Sequence, residues 1–337
     1  MIRALLASLL ISSATASERL SHTDPDASRY QFSTTLMTTR IDFTLITQDQ
    51  KKAEEAVTAA INEMERIEAV FSEWQPESEI SLVNRSAATH PVSVSTEVLR
   101  LVSEALAFSE LTSGAFDITY KSAGKLWDFR DRQIPSPEQL ATAVRAIDYH
   151  RVIVDSRTET IAFTHPGTEI GLGGIAKGYA VDRAVQVIRN HGFDEFSVNA
   201  GGDLYAASKG QKKLWRVGVQ HPRDDQTLAA LLPVANAAVA TSGDYERYFE
   251  QDGIRYHHIL NPATGLSARG SMSVTVLAPR TYLADALATG VFILGPEKGL
   301  ALIEGLNNCE AMVIDEHGNT LLTKGLKPLI QVPVNAP

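Results

Sequence analysis

The spacing of apolar residues along the chain predicts helices first, and then short strands mixed with further helices. Apolar residues recur every three or four positions over 51–71 and 96–111, which is typical of amphipathic helices. Ser136, Pro137 and Gln139 form a capping-box pattern that predicts the start of a third helix. Further helices are expected over 174–190, 282–294 and 297–306. Strands are expected over 152–154, 160–163, 169–172, 196–199, 215–219, 231–234, 237–241, 256–260, 272–277, 311–315 and 320–323.

This mixture of elements favours an α+β protein with a largely antiparallel mixed sheet and flanking helices. Many of the predicted strands are joined by short turns, which antiparallel neighbours allow and parallel neighbours do not. Neither a repeat nor a low-complexity linker divides the chain. We therefore expect one continuous domain over residues 35–330.

The N-terminus has the features of a secretory signal peptide in the usual order. Arg3 precedes an apolar run over 4–11, and Ala14-Thr15-Ala16 follows. The run is too short to span a bilayer. We expect a signal peptide over 1–16, a flexible polar lead-in over 17–34, and a soluble periplasmic protein with no membrane span after cleavage.

The amino-acid composition limits the classes of molecule that the protein is expected to bind. The 337 residues include 31 Lys and Arg against 40 Asp and Glu, which gives a formal charge of −9. This acidic balance, without basic clusters, argues against nucleic acid as a partner. The single cysteine, Cys309, cannot form an internal disulfide and is expected to be a small buried residue in a strand.

The glycine-rich segment from Gly171 to Gly178 (GLGGIAKG) lies between a predicted strand and a predicted helix. Glycines let the backbone approach an anion, and the free amides at a helix start attract negative charge. Lys177 adds a cation one turn into the helix, so phosphate binding is favoured. The alternative is a turn that only lets the helix and strand pack closely.

Asp285 and Thr289 are four residues apart, so they share one face of a predicted helix. A carboxylate and a hydroxyl are hard oxygen ligands of the kind that Mg²⁺ accepts, with waters and a substrate phosphate completing its octahedron. The alternative is a solvated pair in which the threonine bonds back to its own helix.

His257 and His258 are adjacent, and adjacent side chains of a strand point to opposite faces. At most one of them can face a site and act there as a general base. A structural histidine bonded within the sheet is the alternative for either. Two glycine turns, over 199–203 and 241–247, carry polar groups that either serve a ligand or only close strands.

Taken in order, these segments resemble the ApbE family of flavin transferases. The resemblance extends from about residue 35 to residue 323, and an upstream segment, Ser78–Asn84, fits as well. The matching strings are Ser113–Asp117 (SGAFD), Gly173–Asp182 (GGIAKGYAVD), Asn199–Asp203 (NAGGD), Thr241–Tyr245 (TSGDY), His258–Pro262 (HILNP) with Thr264-Gly265, and Asp285–Thr289 (DALAT).

The resemblance implies a T-fold-related architecture and an enzyme that binds FAD with Mg²⁺. It implies transfer of the FMN half of FAD to a Ser or Thr hydroxyl of an acceptor protein, with release of AMP. The implied metal ligands are Asp285, Thr289 and a backbone oxygen at Gly174, and the implied catalytic residues are His258 and Asp285. The implied FAD contacts are Met37, Trp74, Ala115, Phe116, Asp117, Gly171, Lys177 and Ile259.

Two positions depart from the family pattern. Family members often carry small hydroxyl residues where this chain has Gly173 and Gly174, so only a carbonyl ligand is available there. The family's Met-Gly-Thr appears here as Met37-Thr38-Thr39.

Three other functions use some of the same residues. A pyrophosphatase would split FAD into FMN and AMP in the same pocket, and a non-catalytic flavin-binding protein would not need Asp285 and Thr289. A nicotinamide oxidoreductase would need a parallel sheet and an acidic residue where this chain has Asn199. The sequence leaves the oligomeric state and the acceptor open. By resemblance the acceptor is an exported domain of a membrane redox complex, such as a sodium-pumping quinone reductase or a regulator of nitrous oxide reduction.

Overall fold

The computed structural model describes residues 28–211 and 214–330, in which helices and strands alternate along the chain. The helices are α1 (Gln50–Phe71), α2 (Glu79–Ser86), α3 (Thr96–Leu111), α4 (Lys121–Gly124), α5 (Pro137–Val144), α6 (Ala176–Asn190), α7 (Thr281–Leu294) and α8 (Pro296–Glu304). The strands are β1 (Ser28–Leu36), β2 (Thr39–Thr47), β3 (Val92–Ser93), β4 (Val152–Asp155), β5 (Thr160–Phe163), β6 (Phe196–Ala200), β7 (Asp203–Ala207), β8 (Trp215–His221), β9 (Asp224–Val234), β10 (Ala237–Gly243), β11 (Tyr248–Gln251), β12 (Ile254–His257), β13 (Ser271–Ala278), β14 (Glu310–Asp315) and β15 (Thr320–Leu322).

An eight-stranded antiparallel sheet forms the centre of the fold. Its strand order is β1-β2-β6-β7-β10-β13-β14-β15, and every neighbouring pair runs antiparallel. Helices connect β2 to β6 and β13 to β14 across one face. The predicted α+β class with an antiparallel sheet and flanking helices is confirmed.

Helices α1, α6 and α7 cover that face and bury the main hydrophobic core. The amphipathic helix α1 begins where the Asp49 side chain accepts a hydrogen bond from Lys52 N at 3.0 Å, as an N-cap should. Helix α7 is buried on most of its surface because it packs on β10 and β13 and against α6 and α8. This packing fixes α6 and α7 beside each other at the centre of the sheet.

The opposite face of the sheet is covered in part by the long β8–β9 hairpin. Val219 and Leu232 of this hairpin pack with Val239 and Met312 of the central sheet in a second hydrophobic cluster. Trp215 Nε1 donates a hydrogen bond to Ala207 O at 2.8 Å and fixes the start of the hairpin.

Three turns meet at one edge of the sheet, and they position the candidate site. The β1–β2 hairpin turns at Met37-Thr38, and the β6–β7 turn lies beside it, since Gly201 N donates to Arg40 O at 3.1 Å. The end of β10 adjoins the same turn across the β7–β10 pairing. The glycine-rich segment and the start of α6 lie close to this edge.

The structure corrects four sequence expectations. The expected strand over 169–172 is absent, and the expected strand over 256–260 ends at His257. Cys309 is buried but directly precedes β14. Residues 28–34 belong to β1 and not to a flexible lead-in, whereas the expected signal peptide over 1–16 lies outside the described residues. No helix in the described part of the chain is long and apolar enough to span a membrane.

Candidate active site

The predicted metal-binding residues come together where α7 faces the loop before α6. Asp285 and Thr289 are one turn apart on α7. A Cβ added to Gly174 would lie 3.1 Å from Thr289 Oγ1, so this loop passes directly over the threonine. Ser242, at the end of β10, has its Oγ 3.3 Å from Thr289 Oγ1. A hydroxyl, a buried carboxylate and a close backbone segment are therefore held together by packing.

Asp203 and Asp285 form a buried acidic pair with Lys177. Asp203 Oδ2 lies 3.1 Å from Lys177 Nζ, and Asp285 Oδ2 accepts a hydrogen bond from Gly178 N at 3.0 Å. Burial raises the pKa of Asp285 well above its usual range, and the nearby Asp203 carboxylate raises it further. Burial also raises the pKa of Asp203. Burial alone would lower the pKa of Lys177, but the two carboxylates raise it overall, so the lysine stays charged.

This donor set fits Mg²⁺. The available ligands are a carboxylate, a hydroxyl and the Gly174 carbonyl, all of them hard oxygens. Burial and the neighbouring Asp203 carboxylate favour the protonated form of Asp285, so a bound cation would take the place of that proton. Among residues 28–211 and 214–330, no cluster of three or more His, Cys, Asp or Glu side chains forms a metal site. A metal ion bound at this place would therefore be held by the mixed oxygen set.

The two histidines have different environments. His257 is buried beneath α7, where its Nε2 lies 2.9 Å from Ala268 O and its ring packs edge-on against Phe292 at 5.5 Å. Burial lowers the pKa of His257 to about 4. His258 lies beyond the end of β12, where the positive charge of Lys177 reaches it. Of the two histidines, His258 is thus the one on which the charge of Lys177 acts.

His258 is a neutral imidazole at physiological pH. Burial, together with the charges of His257 and Arg247, lowers its pKa to about 3. Its Nδ1 atom is buried and has no hydrogen-bond partner within the described residues. A neutral imidazole carries a lone pair on one ring nitrogen and can act as a base, and its lowered pKa makes it a weak base in the absence of substrate.

An aromatic and charged cluster surrounds the glycine-rich segment. A Cβ added to Gly171 would lie 2.5 Å from Glu73 Oε2 and 3.1 Å from the Tyr120 hydroxyl, so only glycine fits there without a shift. Glu73 forms a buried ion pair with Lys121, with Oε1 and Nζ 2.9 Å apart. The Lys121 ammonium also lies 3.5 Å from the centre of the Trp74 ring, and Trp74 is 74% exposed. One ring face is thus supported by a cation while much of the indole remains accessible to a ligand.

Comparison with known proteins decides the family. The sequence profile described as "ApbE family" matches residues 37–313. The chain belongs to the ApbE family. An FAD:protein FMN transferase from Treponema pallidum (strain Nichols) is 33% identical over 304 residues, which cover 84% of each chain. One from Haemophilus influenzae is 30% identical over 290 residues, which cover 83% of each chain.

Solved structures of ApbE proteins share the fold. A crystal structure of the ApbE protein from Thermotoga maritima aligns with a TM-score of 0.83 at 33% identity, covering 90% of this chain and 99% of that one. The flavin transferase ApbE from Vibrio cholerae aligns with a TM-score of 0.79 at 29% identity, with the same coverage. The ApbE resemblance drawn from the sequence motifs is confirmed.

The backbone conformation explains why the family pattern has a glycine at the position of Thr38 in this chain. Met37 and Thr38 both adopt positive φ angles, of 49° and 59°, at the tip of the β1–β2 hairpin. A glycine adopts this conformation without strain, and a β-branched residue does not. In this chain the Thr38 hydroxyl accepts a hydrogen bond from the Arg247 guanidinium, which helps to hold the strained turn.

The segment from Ala115 to Asp117 is held mainly by its own contacts. Phe116 is buried against the Gly174 loop. The Asp117 carboxylate accepts hydrogen bonds from Thr119 N and Oγ1 and from Tyr149 N, at 2.6–3.0 Å. Burial raises the pKa of Asp117. Because these bonds occupy its carboxylate, the backbone of this segment is what remains for a cofactor.

Two predicted FAD contacts have partners within the protein. Ile259 is buried, and its carbonyl accepts a hydrogen bond from Ala268 N at 2.9 Å. Lys177, expected as a free cation for phosphate, is instead paired with Asp203. The sequence showed the lysine, but the acidic partner lies 26 positions further along the chain and only the fold brings it close.

The structure also brings in five residues to which sequence reasoning assigned no role. They are Glu73, Tyr120, Asp203, Ser242 and Arg247. Three of them lie in the two glycine turns singled out from the sequence, so the turns were the available signal. Glu73 and Tyr120 lie in segments without a motif, and only their contact with Gly171 reveals them.

Proposed function

We propose that this chain transfers the FMN half of FAD to a Ser or Thr hydroxyl of an acceptor protein, with Mg²⁺, and releases AMP. The observation that carries the proposal is the contact of Gly174 with Thr289, one turn from Asp285 on α7, with the charge of Lys177 acting on both Asp285 and His258. Relatives over most of the chain are named FAD:protein FMN transferase, which supports the same activity.

The reaction requires one bond to form and one to break. The acceptor oxygen attacks the phosphorus of the FMN half, and the bond from that phosphorus to the bridging oxygen breaks. The bridging oxygen leaves with AMP. A Ser or Thr hydroxyl is a weak nucleophile, and the His258 imidazole would take its proton as the new phosphoester forms.

Asp285, Thr289 and the Gly174 carbonyl would hold Mg²⁺. When bound, the metal supplies positive charge that neutralises the pyrophosphate and stabilises the leaving oxygen. The buried position of Asp285 suits this role, since burial strengthens electrostatic interactions with a bound cation.

The proposed FAD contacts line the same region. Trp74 offers an accessible ring for stacking on the isoalloxazine or adenine. The backbone of Ala115–Asp117 and Gly171, with Met37 and Ile259, would contact the rest of the molecule. Lys177 would act through Asp203 and Asp285 on the charge of the site and not as a free phosphate ligand.

We further propose that the protein works in the periplasm on an exported domain of a membrane redox complex. The support is the order of basic, apolar and small residues over 1–16, together with the flavin transfer activity. N-terminal sequencing of the protein recovered from the periplasm should find Ser17 as the first residue. Recovery of the uncleaved chain from the cytoplasm would contradict this location.

Incubation with FAD, MgCl₂ and a fragment of a candidate acceptor tests the activity. Intact-mass analysis should find a gain of one FMN on the acceptor, at a Ser or Thr. Asp285→Asn should lower the Mg²⁺-dependent rate by about 100-fold or more, because it removes the charged ligand. Full activity of Asp285→Asn would remove the metal assignment, and tight FAD binding without transfer to any acceptor would favour a flavin-binding protein.

A further inference from the structure

The contacts of Lys177 leave it without a donor for a substrate phosphate. An ammonium group has three N–H donors. Lys177 Nζ lies 3.1 Å from Asp203 Oδ2 and donates to Ala200 O and Gly201 O at 3.3 and 3.2 Å. These three contacts use all three donors. Any cationic side chain that contacts the anionic pyrophosphate beside the proposed Mg²⁺ must therefore be a residue other than Lys177.

Arg247 lies between the hairpin tip, His258 and the glycine-rich segment. Its guanidinium donates a hydrogen bond to Thr38 Oγ1, and its carbonyl accepts one from His258 N at 3.1 Å. Its positive charge also reaches the Tyr120 hydroxyl, which faces Gly171. The side chain thus sits where the turns at the sheet edge meet the glycine-rich segment.

Arg247 is exposed, and no carboxylate of the described residues forms an ion pair with it. Two other arginines, Arg223 and Arg255, already have an acidic partner. Both form ion pairs with Asp244, at 2.6 and 3.3 Å. A guanidinium has five donors in a fixed fork, and the bond to Thr38 leaves the rest for a ligand.

We propose that Arg247 binds the pyrophosphate oxygens of FAD, with Thr38 holding its guanidinium in place. This inference rests on the proposed function. A planar fork matches two phosphate oxygens, and charge-assisted bonds of this kind are among the strongest that a side chain makes to a ligand. Arg247 also gives the acidic site a positive charge that no carboxylate of the described chain cancels.

Binding measurements on Arg247→Gln test the proposal without reference to turnover. Titrations would follow flavin fluorescence for FAD and riboflavin, and calorimetry for ADP. The dissociation constants for FAD and ADP should rise about tenfold or more, whereas riboflavin, which has no phosphate, should bind as it does to the parent protein. Arg247→Lys should recover part of the loss, since it keeps the charge without the fork.

Arg269→Gln provides a matched control. Arg269 is an exposed arginine whose charge acts on His257, and its replacement removes the same charge from the protein. It should leave FAD affinity unchanged. The proposal is overturned if Arg247→Gln binds FAD as tightly as the parent, if riboflavin binding falls by the same factor, or if Arg269→Gln produces an equal loss.

Acceptor labelling by the parent protein separates this inference from the proposed function. If the parent labels no acceptor but Arg247→Gln selectively loses FAD and ADP affinity, the transferase activity fails and the phosphate contact stands. If the parent labels its acceptor and Arg247→Gln keeps full FAD affinity, the phosphate contact alone fails. Thermal unfolding of each variant shows that the fold is retained.

Discussion

Asp203 is not one of the proposed Mg²⁺ ligands, but its contacts would affect the proposed metal site. It is almost fully buried and holds Lys177, which in turn lies close to Asp285. Without Asp203, the lysine would be free to pair with Asp285 and compete with a cation for the same carboxylate. In the proposed site, the ion pair between Asp203 and Lys177 would thus leave Asp285 without a competing lysine.

Asp203→Asn should therefore weaken Mg²⁺ binding by about tenfold or more, as changes behind a ligand commonly do. Calorimetric titration with MgCl₂ measures this without any turnover. Asp42→Asn, which removes an ion-paired carboxylate on β2, should bind Mg²⁺ like the parent. Unchanged Mg²⁺ affinity in Asp203→Asn would show that Lys177 and Asp285 do not compete.

His257 makes the stability of the protein depend on pH. Its pKa is about 4 in the folded chain, against about 6.5 when unfolded. Between these values the unfolded state binds more protons, so the free energy of unfolding falls as the pH falls. For this one group the loss is roughly 2 kcal/mol between pH 7.5 and pH 5.

His257→Gln, which can still donate to Ala268 O, should lose this part of the pH dependence. Urea unfolding at several pH values measures the difference in slope between the variant and the parent. His317→Gln, at an exposed position, should keep the slope of the parent. Equal slopes for His257→Gln and the parent would mean that the folded His257 titrates normally.

At the scale of elements, the contact between α6 and α7 builds the site. A Cβ added to Gly178 would lie 2.6 Å from Thr281 O and 2.8 Å from Tyr282 Cα, both of them backbone atoms. The first turn of α7 is also held by Asp182 of α6, whose carboxylate accepts hydrogen bonds from Thr281 N and Tyr282 N. Close packing is thus the established role of Gly178 in the glycine-rich segment.

Gly178→Ala should destabilise the protein by about 2–3 kcal/mol, because the backbone atoms opposite cannot give way cheaply. It should also weaken Mg²⁺ binding, because α7 carries Asp285 and would be displaced. Urea unfolding and MgCl₂ titration measure the two effects. Gly305→Ala at the end of α8, where the nearest atom to an added Cβ is Leu302 O at 3.3 Å, should have a much smaller effect, and equal losses would contradict the packing argument.

The elements that the sequence predicted correctly are those with local signals. Helices α1 and α3 have regular apolar spacing, and α5 has its capping box, so neighbouring residues determine them. The expected strand over 169–172 fails because its partner is distant. Asn84 Nδ2 donates to Ile170 O and Asn84 Oδ1 accepts from Ile170 N, both at 2.8 Å, so one side chain takes the place of a neighbouring strand.

In the candidate site, too, the sequence predicted the residues with local signals and missed the contacts between distant residues. Motifs located Gly174, Asp285, Thr289 and His258, because each lies in a contiguous string. The pairing of Lys177 with Asp203 and the contact of Arg247 with Thr38 join separate parts of the chain. Only the antiparallel order of the sheet brings those parts to one edge.

Removal of strand β1 tests whether the domain begins at Ser28 and not at residue 35, as the sequence led us to expect. Phe32 of β1 is buried in the main core, and β1 pairs with β2 along its whole length. A chain that begins at Thr35 should therefore lose stability, with burial of Phe32 alone worth roughly 2 kcal/mol. A chain that begins at Ser28 should therefore melt at a higher temperature than one that begins at Thr35, and equal melting temperatures for the two chains would contradict a stabilising role of β1.

At the scale of the whole molecule, the charge of the protein opposes its proposed substrate. The chain carries a formal charge of −9, and FAD has an anionic pyrophosphate. Attraction must therefore come from local positive charge and not from the overall field. The fold meets this need by placing Arg247, the start of α6 and the proposed Mg²⁺ ligands at one edge of the sheet.

The stoichiometry of AMP release in the presence of an acceptor protein tests the central claim most directly. AMP and labelled acceptor would be measured in the same sample, by chromatography and intact mass, during a reaction with FAD and Mg²⁺. A transferase should release one AMP for each FMN attached to the acceptor, with no free FMN. AMP and free FMN in equal amounts, with an unlabelled acceptor, would contradict the account and identify the protein as an FAD pyrophosphatase.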